Sequence, residues 1–251
     1  MQYANQVSFL VYGRYALFSD PVTRVGGEKA TYQIPTYQAL KGIMESVYWK
    51  PTITWVIDRV RILHPILTES KHIRPINFSG PGNTLSIYSY LSEPAYQVEA
   101  HFIFNEHRPE FAHDRNENKH FQIAKRMIAR GGRRDIFLGT RECQAYVEPC
   151  RFGAGEGYYD NMGRMTFGLM FHGFDYPDET GRDMLGVRFW RPVMDKGIVV
   201  FPKPEDCDRS LCRDIRPMRK KAFHDFSGLN EPELVRLLEE VELDELDKPA
   251  D

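Results

Sequence analysis

The chain has 251 residues, of which 42% are hydrophobic and 27% are charged, and its formal net charge at pH 7 is −2. These are ordinary values for a globular protein, so they exclude a largely disordered chain. No stretch approaches the roughly 20 consecutive apolar residues that span a bilayer, and the first residues lack the pattern of a secretory signal. We therefore expect a cytoplasmic protein with no membrane partner.

The first third of the chain predicts a strand, a helix and a second strand. Residues 6–12 have the composition of a buried strand. Pro35 suits a first helical turn, and apolar residues recur every three or four positions from Ala39 to Val47, so we predict a helix that ends near Tyr48. Residues 52–63 alternate apolar and polar side chains with one shift of phase, as a long strand does.

A further strand, helix and strand follow. Residues 64–92 are rich in turn-forming residues, and their apolar run at 85–91 indicates a projecting strand or hairpin. Residues 98–104 alternate as a strand, and the helical spacing after them ends at Gly131 and Gly132. Residues 136–147 supply a fourth strand.

The order strand, helix, strand, strand, helix, strand is that of the ferredoxin-like fold, which RNA-recognition domains share. We therefore predict the α+β class, with a ferredoxin-like domain at residues 1–149 that resembles RNA-recognition domains. The glycine-rich and aromatic segment at 150–226 predicts a mainly β C-terminal extension. Residues 227–251 predict an acidic helix or tail.

The cysteines and histidines do not indicate a metal centre. The spacings of Cys143, Cys150, Cys207 and Cys212 match neither zinc-binding pairs nor a compact disulfide framework. Reduced, partly buried thiols are therefore the favoured interpretation. His107, His113 and His120 are six and seven residues apart, so they do not share one helical face as metal ligands would. We predict neither a metal site nor a cofactor.

The positive charge of the chain is local. Residues 231–251 contain nine acidic residues against two bases, so residues 1–230 carry 31 Lys and Arg against 26 Asp and Glu. The densest group of bases is formed by Lys125, Arg126, Arg130, Arg133 and Arg134. Such a group fits a polyanion, although a solvated face is the simpler alternative.

The dipeptide Lys119-His120 stands just before these bases. An imidazole transfers protons near neutral pH and an ammonium group stabilises developing negative charge, so the pair suits cleavage of a phosphodiester. Neighbouring side chains in mid-helix diverge by about 100°. We therefore expect the pair at a helix entry, with Asn118 favoured as the cap and a capping box of Asp114 and Glu117 as the alternative.

Four segments resemble one known family: RRDIFLGTREC at 133–143, YVEP at 146–149, FGLMFHGFDYP at 167–177 and FWRPVM at 189–194. They are similar to the CRISPR-associated repeat-processing endoribonucleases of subtype I-C, or Dvulg subtype, of the repeat-associated RNA-binding superfamily. The resemblance runs over nearly the whole chain. It implies an enzyme that cuts precursor CRISPR RNA at the 3′ base of each repeat hairpin without a metal, and then holds the 5′ handle.

The resemblance also implies the site residues, because the family's catalytic tyrosine, lysine and histidine fall on Tyr48, Lys119 and His120. We predict that the 2′-hydroxyl attacks the adjacent phosphorus, leaving a 2′,3′-cyclic phosphate and a 5′-hydroxyl. His120 would transfer protons, Lys119 would stabilise the phosphorane, and Tyr48 would orient or activate the hydroxyl. Without the resemblance, Tyr48 reads as the end of an apolar helix stripe and His120 equally as a core histidine.

The predicted partners are CRISPR repeat RNA and the backbone and large subunits of the type I-C surveillance complex. The expected RNA-binding residues are Arg24, Lys125, Arg126, Arg133, Arg134 and Arg141. Two alternative functions stay open. One is a subunit that caps the RNA 5′ handle without cutting it, and the other is a scaffold that binds duplex DNA without sequence preference.

Overall fold

The computed structural model describes residues 4–25 and 27–221, so the acidic helix or tail predicted at 227–251 lies outside the described residues. Within these ranges the α-helices are α1 (Pro21–Val25), α2 (Tyr37–Val47), α3 (Glu117–Ala129) and α4 (Pro177–Thr180). The strands of the first half are β1 (Val7–Gly13), β2 (Tyr15–Ala16), β3 (Lys29–Ala30), β4 (Ile53–Ile62), β5 (Thr68–Ile73), β6 (Ser86–Ser92) and β7 (Ala95–Phe104). The later strands are β8 (Ile136–Phe137), β9 (Gln144–Pro149), β10 (Met165–Thr166), β11 (Met170–Asp175), β12 (Met184–Trp190), β13 (Val193–Asp195), β14 (Ile198–Val200) and β15 (Cys212–Pro217).

Short 3₁₀ helices at Pro109–Asp114, Pro204–Asp206 and Arg209–Leu211 complete the regular structure. Helices and largely antiparallel sheets thus occur in one chain, which confirms the predicted α+β class. None of the described helices has the length and apolar composition needed to cross a bilayer.

The largest sheet has eight strands in the order β10-β13-β14-β4-β7-β1-β9-β8. Its central strands β4, β7, β1 and β9 pair antiparallel, and Trp55 of β4 lies opposite Phe102 of β7. The register of β4 against β7 shifts between Ile57 and Arg59. This bulge explains the phase shift in the sequence pattern, because one extra residue moves every later side chain to the other face.

Helices α2 and α3 pack against this sheet and against each other. Helix α2 begins after Thr36, whose hydroxyl accepts a hydrogen bond from the Ala39 amide at 3.2 Å. Pro35 therefore precedes the helix instead of lying in its first turn, because the threonine side chain provides the cap. The end of the helix at Tyr48 confirms the predicted boundary.

The predicted strands at 6–12, 52–63 and 98–104 correspond to β1, β4 and β7, and the apolar run at 85–91 corresponds to β6. Strand β5 was not predicted, because its side chains are mostly exposed and show no apolar alternation. The predicted strand at 136–147 is instead two short strands, β8 and β9. Gly139, with φ +92°, begins the turn between them.

Residues beyond 150 contribute to two sheets. Strands β10, β13 and β14 extend the large sheet beside β4, whereas β11, β12 and β15 form a separate three-stranded sheet. Strands β2, β3, β5 and β6 form another small sheet. The segment after 150 is therefore rich in strands, as expected, while the division of the chain at residue 149 stays a prediction.

Two glycines give opposite predictions for stability. At Gly139 an added Cβ would clash with the carbonyl oxygen of Leu17, and the backbone lies in the left-handed region. We expect Gly139→Ala to lower the free energy of unfolding by about 2–4 kcal/mol. The measurement is equilibrium unfolding in urea.

Gly42 provides the matched control, because it lies inside α2 and an added Cβ there meets no atom within 4 Å. Gly42→Ala should raise the free energy of unfolding by about 0.5–1 kcal/mol, since alanine loses less backbone entropy in a helix. Equal effects of the two substitutions would contradict the described turn at Gly139.

Candidate active site

The side chains of Tyr48 and His120 meet where the end of α2 approaches the start of α3. The Tyr48 hydroxyl lies 2.8 Å from Nδ1 of His120, although 72 positions separate the two residues in sequence. The indole of Trp55 donates a hydrogen bond of 2.7 Å to the Tyr48 carbonyl and so anchors the helix end to β4. The local folding of α2 and β4 thus fixes the phenol.

His120 is completely buried, and both of its ring nitrogens have partners. Nε2 lies 2.8 Å from the main-chain oxygen of Asp114. A carbonyl oxygen only accepts, so this hydrogen bond assigns a proton to Nε2, and in the neutral ring Nδ1 then accepts from the Tyr48 hydroxyl. The rings of Phe102 and Phe104 lie edge-on to the imidazole, with centroids at 6.0 and 6.3 Å. In the neutral form of the ring, these contacts select the tautomer that is protonated on Nε2.

Helix α3 begins after Asn116, whose side-chain oxygen accepts from the Lys119 amide at 3.0 Å. Both predicted caps, Asn118 and the box that starts at Asp114, are therefore wrong, since Asn116 has the free side chain at the required position. Lys119 and His120 still lie in the first turn, as expected. The Lys119 side chain is 51% exposed and the His120 side chain is 0% exposed, so the two side chains point in different directions.

Asp114 connects the diverging side chains. One carboxylate oxygen accepts from the Lys119 ammonium, and the other accepts from the Thr52 hydroxyl at 2.8 Å and lies 3.5 Å from Nε2 of His120. Burial raises the pKa of Asp114, but hydrogen bonds from Lys119 and Thr52 outweigh this effect, so its pKa lies below the ordinary value. Asp114 is consequently ionised at neutral pH.

The phenol of Tyr48 stays neutral at the same pH. Burial raises the pKa of Tyr48 to about 12, and the negative charge of Asp114 acts in the same direction while Arg133 opposes it. A phenol with such a pKa is a poor base near pH 7. The arrangement therefore favours hydrogen bonding by Tyr48 over proton abstraction by a phenolate.

The six predicted RNA-binding side chains are all exposed. Arg133 lies near enough to Tyr48 for its charge to act on the phenol, and the Arg134 amide donates to the Ser46 carbonyl at 3.1 Å. The loop after α3 is thus attached to the end of α2, beside the site. Lys125 and Arg126 project from α3 itself, whereas Arg24 lies on α1 and Arg141 lies in the turn between β8 and β9.

Sequence reasoning did not assign Asp114 or Thr52 to the site. Asp114 lies six residues before His120, at the end of a 3₁₀ helix. No helical or strand period therefore relates the two positions. Thr52 lies immediately before strand β4. Across residues 4–25 and 27–221, His, Cys, Asp and Glu side chains form no group of three or more suited to a metal ion.

Comparison with known proteins identifies relatives of the chain. Residues 7–202 match the family described as Cas_Cas5d, CRISPR-associated protein (Cas_Cas5). The CRISPR pre-crRNA endoribonuclease Cas5d of Mannheimia succiniciproducens is 28% identical over 169 residues, which cover 59% of this chain and 68% of the relative. The protein of the same name from Thermus thermophilus is 27% identical over 176 residues, covering 64% and 72%.

A solved structure gives the same indication. The protein described as "Crystal Structure of CRISPR-associated Protein" shares 32% sequence identity with this chain, with a TM-score of 0.66. The alignment covers 83% of this chain and 96% of that protein. Because the family match extends over most of the sequence, from β1 to the residues just beyond β14, the chain belongs to the Cas5d family of CRISPR-associated proteins.

Proposed function

We propose that this chain is an endoribonuclease that cleaves CRISPR repeat RNA without a metal ion. Its curated relatives are named pre-crRNA endoribonucleases. The observation that carries the proposal is the 2.8 Å contact between the Tyr48 hydroxyl and Nδ1 of His120, with the exposed Lys119 ammonium one residue away. A proton acceptor, a hydroxyl group and a cation are the groups that metal-free RNA cleavage requires.

The reaction begins with the ribose 2′-hydroxyl, which attacks the adjacent phosphorus in line. His120 is fully buried and Tyr48 is 3% exposed, so we propose that His120 acts on this hydroxyl through its hydrogen-bond partner, the Tyr48 phenol. The phenol oxygen takes the proton of the 2′-hydroxyl as the phenol gives its own proton to Nδ1 of His120, so Tyr48 stays neutral throughout. The proton returns by the same route to the 5′-oxygen that leaves, and the products are a 2′,3′-cyclic phosphate and a 5′-hydroxyl.

Lys119 carries the electrostatic part of the mechanism. Its side chain is half exposed, and its ammonium has three hydrogens, of which the contact with Asp114 uses one. The remaining hydrogens are available to the non-bridging oxygens of the phosphorane, where negative charge develops. Stabilisation of that charge favours the transition state over the bound substrate.

The architecture supports the same proposal. The strand order β4-β7-β1-β9, with α2 after β1 and α3 after β7, agrees with a ferredoxin-like domain at residues 1–149 followed by a β extension at 150–226. Exposed bases lie on α3 and in the loop after it, where Arg133 is near enough to act on the Tyr48 phenol, and such bases fit an RNA backbone. We propose that Lys125, Arg126, Arg133 and Arg134 contact the RNA. We propose further RNA contacts, outside α3 and the loop after it, for Arg24 and Arg141.

We further propose that the protein keeps the 5′ handle of its product and joins the backbone and large subunits of the type I-C complex. A subunit that only caps the handle, or one that binds duplex DNA without preference, would need the basic surface alone. The hydrogen-bonded phenol and imidazole beside that surface favour the enzyme over both alternatives.

The proposal predicts how labelled repeat RNA behaves with the purified protein. Cleavage should continue in excess chelator, because no step uses a metal. It should stop when the nucleotide 5′ of the scissile phosphate carries deoxyribose, because the nucleophile is then missing. Loss of cleavage in chelator, or cleavage of the deoxy substrate, would contradict the mechanism, and tight binding without cleavage of either RNA would indicate the handle-binding alternative.

The relay through Tyr48 predicts strong non-additivity. Tyr48→Phe and His120→Ala should each slow single-turnover cleavage by about a hundredfold to ten-thousandfold, the usual contribution of acid–base catalysis. The double variant should be no slower than the worse single variant, because the two side chains act as one unit. If the double variant were instead slowed by the product of the two single-variant factors, Tyr48 and His120 would have independent roles.

Tyr12→Phe is the matched control for Tyr48→Phe. Its hydroxyl also donates to a side chain, that of Glu148 at 2.6 Å, but this contact joins β1 to β9 and involves no residue of the proposed site. The control should cleave at the rate of the parent protein. Thermal unfolding of all variants separates a catalytic loss from a folding defect of the buried His120.

The raised pKa of Tyr48 predicts the alkaline behaviour of the site. Because the phenol ionises only near pH 12, it should give no tyrosinate absorbance up to about pH 10, the pKa of an ordinary tyrosine. The difference titration between the parent protein and Tyr48→Phe measures this directly. A Tyr48 signal appearing between pH 7 and 9 would show that the phenolate is accessible as a base.

A further inference from the structure

We propose that Asp114 is a positioning residue of the cleavage site, through which Lys119 and His120 act. The inference rests on the proposed function. Asp114 ends the 3₁₀ helix Pro109–Asp114. Its main-chain oxygen and both of its carboxylate oxygens form hydrogen bonds with neighbouring residues of the site. Its carbonyl accepts from Nε2 of His120 at 2.8 Å, and its two carboxylate oxygens accept from Lys119 and from Thr52.

The segment that carries Asp114 is held firmly. The Asn105 amide donates to the Thr52 carbonyl at 2.9 Å, and the Asn105 side chain donates to the Asp178 carbonyl at 2.8 Å. The buried guanidinium of Arg108 pairs with the Asp178 carboxylate. Asp114 thus follows a segment that is fixed between Thr52, the residue before β4, and the α4 turn that contains Asp178, which is the support that a positioning group needs.

The carboxylate also matches the charge that the reaction creates. When His120 takes a proton at Nδ1, the ring becomes positive while Nε2 still faces Asp114, whose nearer carboxylate oxygen lies 3.5 Å away. Two cations also lie near: the Lys119 ammonium on the same helix, and Arg133, whose charge acts on the Tyr48 phenol. The ring also contacts the Tyr48 phenol and the apolar rings of Phe102 and Phe104.

Asp114 is therefore the counter-charge that faces the imidazole. The lowered pKa of the Asp114 carboxyl agrees with this role, because the group remains ionised through the pH range in which imidazole titrates. The same carboxylate restrains the long side chain of Lys119, whose ammonium would otherwise sample many rotamers in solvent. Asp114 thus orients the Lys119 ammonium and balances the positive charge that His120 gains when it accepts a proton.

Asp114→Asn tests the role, because asparagine keeps the size, the main-chain carbonyl and an oxygen for Thr52 but lacks the negative charge. We expect single-turnover cleavage at saturating RNA to slow by about tenfold to a hundredfold, as is usual for outer groups that orient reacting ones. The acid limb of the rate–pH profile should move to lower pH, because the imidazolium has lost its counter-charge. RNA affinity should not weaken.

Glu117→Gln is the matched control, since it removes one negative charge from the same turn of α3 at an exposed position. It should leave the rate and the acid limb of the parent protein unchanged. Thr52→Val removes the hydroxyl that holds the Asp114 carboxylate and should slow cleavage in the same direction by a smaller factor. This variant also tests the proposal if Asp114→Asn fails to fold.

The outcomes separate this inference from the proposed function. An active parent protein that is disabled by Tyr48→Phe, together with an unchanged rate and acid limb in Asp114→Asn, would overturn the role of Asp114 alone. A slower Asp114→Asn whose acid limb does not move would also overturn it, because a structural defect lowers the rate at every pH. A parent protein that does not cleave repeat RNA would instead overturn the proposed function.

Discussion

The hydrogen bond between the Tyr48 hydroxyl and Nδ1 of His120 is the interaction on which the site depends. A fully buried imidazole is costly unless its polar atoms have partners, and here the phenol and the Asp114 carbonyl satisfy both nitrogens. The same two contacts select the tautomer of the neutral ring and place the phenol directly beside the imidazole. The partners that permit burial of the imidazole are therefore also the groups that fix its tautomer.

The sheet explains why two residues so far apart in sequence meet. Trp55 and Phe102 face each other across β4 and β7, and each supports one side of the site. The Trp55 indole holds the carbonyl of Tyr48, while the ring of Phe102 packs against the imidazole of His120. The antiparallel register thus brings the end of α2 to the first turn of α3.

Much of this framework could be predicted from the sequence. The alternation in β1, β4 and β7, the apolar stripe of α2 and the glycines that end α3 are local signals, and even the bulge of β4 appeared as a change of phase. The family resemblance supplied Tyr48, Lys119 and His120. That the phenol and imidazole touch required the tertiary structure, because no sequence period relates position 48 to position 120.

The prediction failed where side chains act outside a regular period. The cap of α3 is Asn116, and the position of Asp114 depends on a 3₁₀ helix that is held from the distant residue Asp178. The single strand expected at 136–147 became two strands, because Gly139 reverses the chain against Leu17. Such features follow from contacts between distant parts of the chain, which local patterns do not encode.

The most direct measurement is NMR spectroscopy of the protein with isotope-labelled histidine imidazoles, compared with Tyr48→Phe. We expect the neutral imidazole of His120 to carry its proton on Nε2, and its Nδ1 resonance to shift when the phenol hydroxyl is removed. A neutral ring with its proton on Nδ1, or an Nδ1 resonance that does not respond to Tyr48→Phe, would show that the phenol and the imidazole do not share this hydrogen bond.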